Sequence, residues 1–313
     1  MKILRHAPAP GPTAIAIGSF DGVHRGHQAM LAHVCAAARS RALAASALTF
    51  EPLPREFFAH AAAPPRLLLP RAKFEGLRAL GIDHVGLLRF NAAMAAMSPE
   101  EFVDRILVAR LAAREVWVGP EFRFGHRRAG DLGVLQALGA TRGLTAHEIA
   151  PVAVDGQRVS SSVLRQQLVL GDLDGAAIGL GRRYAIAGKV VRGRQLGRKL
   201  GFPTANLRLM GKHTALAGIY ASWVHGVGPV PRASVSSLGT RPTVFGQEPL
   251  LEAHLFDFDG DLYGQRITVE FVRKLRDEAR FDDLSALVRQ MNIDADQARR
   301  ILARDTTDHG VPA

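Results

Sequence analysis

Thr13-Ala-Ile-Ala-Ile17, then Gly18-Ser-Phe-Asp-Gly-Val-His24-Arg-Gly-His27, then Gln28-Ala-Met-Leu-Ala-His33: this run decides how the first half of the chain folds. A short apolar, β-branched stretch stops at a glycine, a tight turn carries Asp21 and Gly22, and a helical pattern starts at about Gly26. Strand, turn and helix in that order put the turn at a sheet edge, where α/β sheets bind phosphates. The glycines permit close backbone approach. His24 and His27 stand at the mouth of the helix, so both imidazoles can face one anion. A metal could use the same pair, but a zinc site normally takes a third ligand, and no Cys or His cluster adjoins them. The spacing favours phosphate chemistry.

Bulk properties narrow the class. A length of 313 residues is enough for two domains with ample core. Hydrophobic residues at 47% and charged ones at 22% fit a soluble globular protein. The single cysteine, Cys35, excludes an internal disulfide and fits a reducing compartment. Met1-Lys-Ile-Leu-Arg-His6 lacks the apolar core of a signal peptide, and no apolar run is long enough to span a bilayer. A cytoplasmic protein without a membrane partner is expected. The net charge of +11 raises nucleic acid as a ligand. The arginines are scattered, however, and no basic run alternates with aromatics to stack bases. A diffuse positive surface also suits small polyanions such as ATP. No nucleic acid is expected, and a nucleic-acid-binding barrel stands as the rival from another class.

From Thr13 to about Ile149 apolar strands alternate with helical patterns. Ala47–Phe50 reads as a strand, Arg71–Leu80 as a helix closed by Gly81, His84–Leu88 as a strand. Ser98-Pro-Glu-Glu101 carries an N-cap, a first-turn proline and a capping box, opening a helix to about Leu111. Glu115–Val118 is the next strand. The alternation implies a parallel, doubly wound, Rossmann-like sheet. Ala59 to Leu69, rich in Ala and Pro, reads as a mobile flap. Gly119-Pro-Glu-Phe-Arg-Phe-Gly125 again sets a glycine at the C-terminal end of a strand, with Phe122 and Phe124 read as packing residues. In Arg158-Val-Ser-Ser-Ser-Val-Leu-Arg165, hydroxyls mark a helix start.

Around Gly171 to Arg183 the pattern changes. Strands follow one another without helices: Tyr184–Arg192, Gly218–Val227, Ala233–Leu238, Leu251–Phe256 and Arg266–Leu275. They imply a small antiparallel barrel, closed by a helix from about Asp282 with Leu284, Leu287, Val288 and Met291 on one face. The boundaries expected are 1–180, 181–305 and a polar, frayed tail at 306–313. Gly193-Arg-Gln-Leu-Gly-Arg-Lys-Leu-Gly-Phe-Pro-Thr-Ala-Asn206 is a Gly-rich basic loop ending in a hydroxyl and an amide. Those are oxygen donors suited to a hard cation such as Mg²⁺.

Gly-x-Phe-Asp-Gly-Val-His-x-Gly-His at 18–27 resembles the nucleotidyltransferase signature of the bacterial bifunctional riboflavin kinase/FAD synthetases. Gly-Phe-Pro-Thr-Ala-Asn at 201–206 resembles their riboflavin kinase signature. Ser237-Leu-Gly-Thr-Arg-Pro-Thr243, Leu251-Glu-Ala-His254 and Phe258-Asp-Gly-Asp-Leu-Tyr-Gly264 match in order, so the likeness covers about residues 13 to 302. It implies two activities: ATP-dependent phosphorylation of riboflavin to FMN, and adenylylation of FMN by ATP to FAD with release of pyrophosphate. It assigns ATP in the adenylyl site to Gly18, Phe20, Asp21, Gly26, Ser160, Ser161 and Arg165, with His24 and His27 catalytic. Glu121 and Arg123 fall on the FMN- and ATP-side loop. In the kinase site it assigns ATP to Gly193, Gly197, Arg198, Gly201, Phe202 and Pro203, Mg²⁺ to Thr204 and Asn206, and the catalytic base to Glu252.

The chain departs from that pattern at three places. Leu53 stands where the family commonly has histidine in Phe-x-Pro-His-Pro, Glu121 where it has Asp or Asn, and Ser162 where it has threonine. These departures leave a second reading open, a riboflavin kinase whose weakened adenylyl site mainly binds nucleotide or FMN.

Overall fold

The structure is a computed structural model, and it describes residues 1–59, 62–193, 197, 200–209, 213–243 and 246–305, without the side chains of 240–243 and 246–248. The chain divides into two compact units, one of Met1–Pro64 and Pro70–Ser160, the other of Pro65–Leu69 and the chain from Ser161 onward.

The first unit is built on a six-stranded sheet: β1 (Lys2–Leu4), β2 (Thr13–Ile17), β3 (Ala44–Phe50), β4 (His84–Leu88), β5 (Ala113–Val118) and β6 (Thr145–Glu148), in the order β1-β4-β3-β2-β5-β6. Every pairing is parallel. From β2 the chain winds outward through β3 and β4 on one side, and from β5 through β6 on the other. The order therefore reverses between β2 and β5, and the crevice beyond their C-terminal ends is where open α/β sheets take ligands. Helix α1 (Arg25–Ser40) follows β2 and buries Met30, Leu31, Val34 and Cys35. Elsewhere in this unit Phe102, Val103, Ile106 and Leu107 pack with Leu4, Ile15, Leu48 and Val116. The capping box expected at Ser98 forms, with both reciprocal bonds and Pro99 in the first turn. Phe124 is buried beside Phe122 and Phe102, so both predicted packing phenylalanines pack.

A two-stranded hairpin, β7 (Ala153–Val154) and β8 (Gln157–Arg158), ends this unit. The second unit contains a closed antiparallel barrel of β9 (Ala185–Val191), β10 (Ala205–Arg208), β11 (Gly218–His225), β12 (Arg232–Thr243), β13 (Gly246–Leu255) and β14 (Arg266–Arg276), in the order β10-β13-β12-β11-β14-β9. Period-two alternation sorts its side chains. Leu207, Leu238, Leu251, Ala253 and Leu255 fill the core, and Asn206, Ser237, Glu252 and His254 occupy the alternate positions. Helices Ser161–Leu170 and Leu173–Leu180 share that core through Leu164, Leu168, Leu173 and Leu180.

Three sequence expectations are corrected. Residues 65–69 are no mobile flap: Leu67 is buried in the core of the second unit, and Arg66 bridges to Thr214. The alanines and prolines masked that one anchoring leucine. Strand β10 read as part of a loop because it is short and follows Gly-Phe-Pro, yet it pairs with both β9 and β13. On the last helix, Leu284–Leu302, Met291 packs against the cluster that holds Ala295, Ala298 and Leu302, and of the four residues expected on the inner face only Leu284 is exposed. The tail at 306–313 lies outside the described residues.

Candidate functional sites

The turn after β2 is strained and deeply set. Phe20 and Val23 both take positive φ, 49° and 42°, a conformation that costs about 1–3 kcal/mol at a non-glycine residue and persists only where surroundings over-determine it. Phe20 is fully buried, and Asp21 is buried against the Arg55 guanidinium. Among the predicted nucleotide residues, Phe20 and Asp21 therefore hold the turn from within. Gly18 lies against the Phe20 ring, 3.3 Å from where a Cβ would stand. A Cβ at Gly26 would stand 3.2 Å from the His24 ring, a tight contact that glycine avoids.

His24 is the N-cap of α1, and its Nδ1 accepts the His27 backbone N–H at 3.4 Å. The neutral His24 ring consequently carries its proton on Nε2. The two imidazoles stack, centroids 3.7 Å apart and 21° between planes. His27 Nδ1 is buried without a hydrogen-bond partner among the described residues. Burial first, then the adjoining His24 ring and the charges of Lys73 and Arg55, pushes the His27 imidazole well below the ordinary histidine range. The two rings thus stand at a helix N-terminus, where backbone amides and the helix dipole attract anions.

The loop after β5 presents Glu121 and Arg123 to solvent. Glu121 has φ of 61° and a side chain 79% exposed, in an ion pair with Arg158 at 3.1 Å. Arg123 pairs with Asp131 at 3.3 Å, and Asp131 caps the helix Leu132–Ala140. Ser160 closes the first unit, whereas Ser161 and Arg165 belong to the second. Arg165 is buried and donates from Nε to the Pro65 carbonyl at 2.6 Å and from Nη1 to the Ser161 carbonyl at 3.0 Å. Leu53, in the place of the family's histidine, is 1% exposed.

In the second unit, Glu252 on β13 pairs in register with Asn206 on β10 and with Ser237 on β12. This row lines a cavity of about 410 Å³, closed on its other side by Arg276, Phe281, Leu287, Met291 and Asp294. Asn206 is buried, and its amide donates to the Thr204 carbonyl at 3.3 Å and hydroxyl at 3.2 Å. The two predicted cation donors are therefore neighbours, with Glu252 across the strand pair. His254 Nδ1 lies 2.8 Å from the Pro203 carbonyl, and its ring meets Phe202 edge-on. Gly193 and Gly197 are dictated by space: a Cβ would fall 2.5 Å from Asn206 Oδ1 and 2.3 Å from the Phe202 carbonyl, respectively. Gly201 has a φ of +84°. Arg198 lies outside the described residues. Thr204 also borders a smaller cavity of about 140 Å³, lined by Pro203, Phe258, Asp261 and Tyr263.

Sequence reasoning missed the far wall of the larger cavity. Arg276 makes a forked bond to Asp294, with Nη2 at 2.7 Å and Nε at 2.9 Å, and Gln290 adds a third contact. Arg276 also lies over the Phe281 ring. Nothing local in the sequence signals a pair so far apart. Arg55, Thr49 and Lys73, which underpin the phosphate turn, were missed for the same reason.

Two family models match the chain in tandem: FAD synthetase over residues 6–163 and riboflavin kinase over residues 180–302. A bifunctional riboflavin kinase/FMN adenylyltransferase of Pseudomonas fluorescens is 45% identical over 289 residues, 92% of each chain. That of Escherichia coli K12 is 41% identical over 305 residues, 96% of this chain and 97% of the relative. A solved structure from Streptococcus pneumoniae, described as a macrolide-efflux protein, superposes with a TM-score of 0.79 at 26% identity, over 95% of this chain and 98% of that one. Among the described residues, no helix is long and apolar enough to cross a membrane. Tandem models over both halves, with close relatives along almost the whole length, mean that the chain belongs to the bifunctional riboflavin kinase/FMN adenylyltransferase family.

Proposed function

We propose that the chain makes FMN from riboflavin at the Glu252 cavity and FAD from FMN at the His24–His27 turn, each with ATP, in the cytoplasm. The adenylyl activity is assigned to residues 1–180 and the kinase to 181–305. The observation that carries the kinase assignment is the row Asn206–Glu252–Ser237 lining a cavity of about 410 Å³. Glu252 takes the proton of the ribityl 5′-hydroxyl as that oxygen attacks the γ-phosphorus of ATP, and ADP leaves. The glycines at 193, 197 and 201 let the backbone approach the phosphates, with Arg198, Phe202 and Pro203 completing that loop. Thr204 and Asn206 fit Mg²⁺, a cation that takes few protein oxygens and keeps phosphates and water; when bound, it supplies charge neutralisation.

In the first unit, a phosphate oxygen of FMN attacks the α-phosphorus of ATP and pyrophosphate leaves. His24 and His27 donate to phosphate oxygens as charge builds on them. Gly18 and Gly26 give the backbone access, and Ser160, which closes this unit, takes triphosphate oxygens. Glu121 and Arg123 border the FMN side. A second reading, kinase with a weakened adenylyl site, draws on Glu121 turned toward Arg158 and solvent. Incubation with riboflavin, ATP and Mg²⁺, with flavins separated over time, tests both. FMN followed by FAD supports the full reading, FMN alone even with FMN supplied supports the second, and neither product overturns both.

A further inference from the structure

We infer that Lys73 is a positioning residue for adenylyl transfer, its buried ammonium joining the Thr49 hydroxyl to clamp the Ser19 carbonyl and hold the phosphate turn in its binding shape. The inference rests on the adenylyl reading of the first unit. Lys73 projects from the helix Pro70–Ala79, carries no motif, and is 2% exposed. Its Nζ lies 3.3 Å from the Ser19 carbonyl and 3.4 Å from Thr49 Oγ1, and Thr49 Oγ1 donates to the same carbonyl at 3.3 Å. Three groups from helix, strand and turn thus form a closed triangle. The distances exceed the usual hydrogen-bond range, so the clamp is chiefly ion–dipole attraction, which is stronger in a buried site.

The place it grips matters. Ser19 lies between Gly18, whose N–H reaches back to the Leu48 carbonyl at 3.1 Å, and Phe20, the first left-handed residue of the turn. A trans peptide is planar, with its C=O and N–H on opposite sides. Fixing the Ser19 carbonyl inward therefore fixes the Phe20 amide outward and limits the dihedrals through which the strained turn could relax. A carbonyl released from the clamp would be free to swing toward the phosphates and repel them. Thr49 sits on the C-terminal half of β3, so the clamp also ties the turn to the sheet.

The test compares Lys73→Met, Thr49→Val and Thr49→Ser in the full chain, measuring FAD formation from FMN and ATP and FMN formation from riboflavin in each preparation. Lys73→Met is expected to lower kcat/KM for ATP in FAD formation by about 100-fold, the scale of a displaced reacting group, with riboflavin phosphorylation unchanged. Thr49→Val is expected to lower it about tenfold, and Thr49→Ser, which keeps the hydroxyl, to recover most of that loss. The KM for FMN should move less than the KM for ATP. A Lys73→Met protein with the wild-type FAD rate overturns the inference, as does equal loss in Thr49→Val and Thr49→Ser. Should Lys73→Met yield no folded protein, the Thr49 pair decides alone. Wild-type protein that forms no FAD would instead overturn the adenylyl reading beneath it.

Discussion

The turn at 18–27 and the Gly-rich loop at 193–206, each proposed above to receive phosphate, are surrounded by opposite chemistry. The first carries two stacked imidazoles at a helix N-terminus, with Arg55 and Lys73 close enough to act on His27, and the carboxylate in the turn, Asp21, is held by Arg55. The second offers neutral oxygens on Thr204 and Asn206, with Glu252 in register beside them. The difference follows from the nucleophiles in the proposed reactions. The phosphate of FMN is already an anion, so its site needs positive or donating groups and no base. The ribityl hydroxyl is neutral and must lose a proton, so its site needs a carboxylate.

Glu252→Gln should break the comparison at its strongest point. FMN formation is expected to fall by about 10²–10⁴-fold, the usual worth of a general base, while FAD formation from supplied FMN continues. Separation of flavins over time checks this, and parallel loss of both activities would contradict separate sites. His27→Ala should do the reverse. FAD formation is expected to fall by about 10²–10³-fold, as when one donor to a developing charge is removed, with riboflavin phosphorylation intact. An unaltered FAD rate would take His27 out of the mechanism.

The Arg276–Asp294 pair sharpens the contrast on the kinase side. Asp294 is buried, and Arg276 is about a quarter exposed. Asp294→Ala should therefore cost near the low end for a broken buried pair, about 3 kcal/mol, and raise the KM for riboflavin while FAD formation from FMN holds. Thermal unfolding and a riboflavin titration give the two readings. An unchanged riboflavin KM would remove the pair from the pocket wall's function.

The depressed His27 pKa predicts a smaller effect, on stability. Its unfolded value is near 6.5 and its folded value lies below that, so the unfolded chain binds more protons between the two. Stability from this group is complete above about pH 6.5 and is lost as pH falls through the window toward the folded value. A tenfold difference in proton affinity between the two states is worth about 1.4 kcal/mol. Thermal unfolding from pH 7.5 to 5.5 should show a steeper loss for wild type than for His27→Gln; equal slopes would mean that the burial of His27 does not set the pH dependence.

How much was legible before the structure depended on whether the signal was local. The β2–turn–α1 unit could be read because apolar run, glycine and histidine pair sit within 21 residues, from Thr13 to His33. The capping box at Ser98 is likewise a four-residue device. Glu252 was one of 29 acidic residues and stood out only by resemblance; the barrel register places it beside Asn206, 46 positions away in the chain. The buried cations could not be read at all. Lys73 sits in a sequence typical of an exposed amphipathic helix, and only the approach of β3 and the turn makes its position internal.

Leu53 tests how far resemblance alone should be carried, and its expected catalytic effect is the smallest. If the missing family histidine limits FAD formation, Leu53→His should raise the rate. The local packing argues otherwise. Leu53 is 1% exposed, its backbone N–H donates to Glu56 at 2.9 Å, and the next turn of chain carries Arg55, the partner of Asp21. An imidazole in that slot would bury polar nitrogens at a cost of about 1–3 kcal/mol. The variant is therefore expected to melt earlier and to form FAD no faster than wild type. A tenfold or greater gain in FAD rate would mean that the ring reaches the nucleotide, and would move the balance toward a chain whose kinase outperforms a weakened adenylyl site.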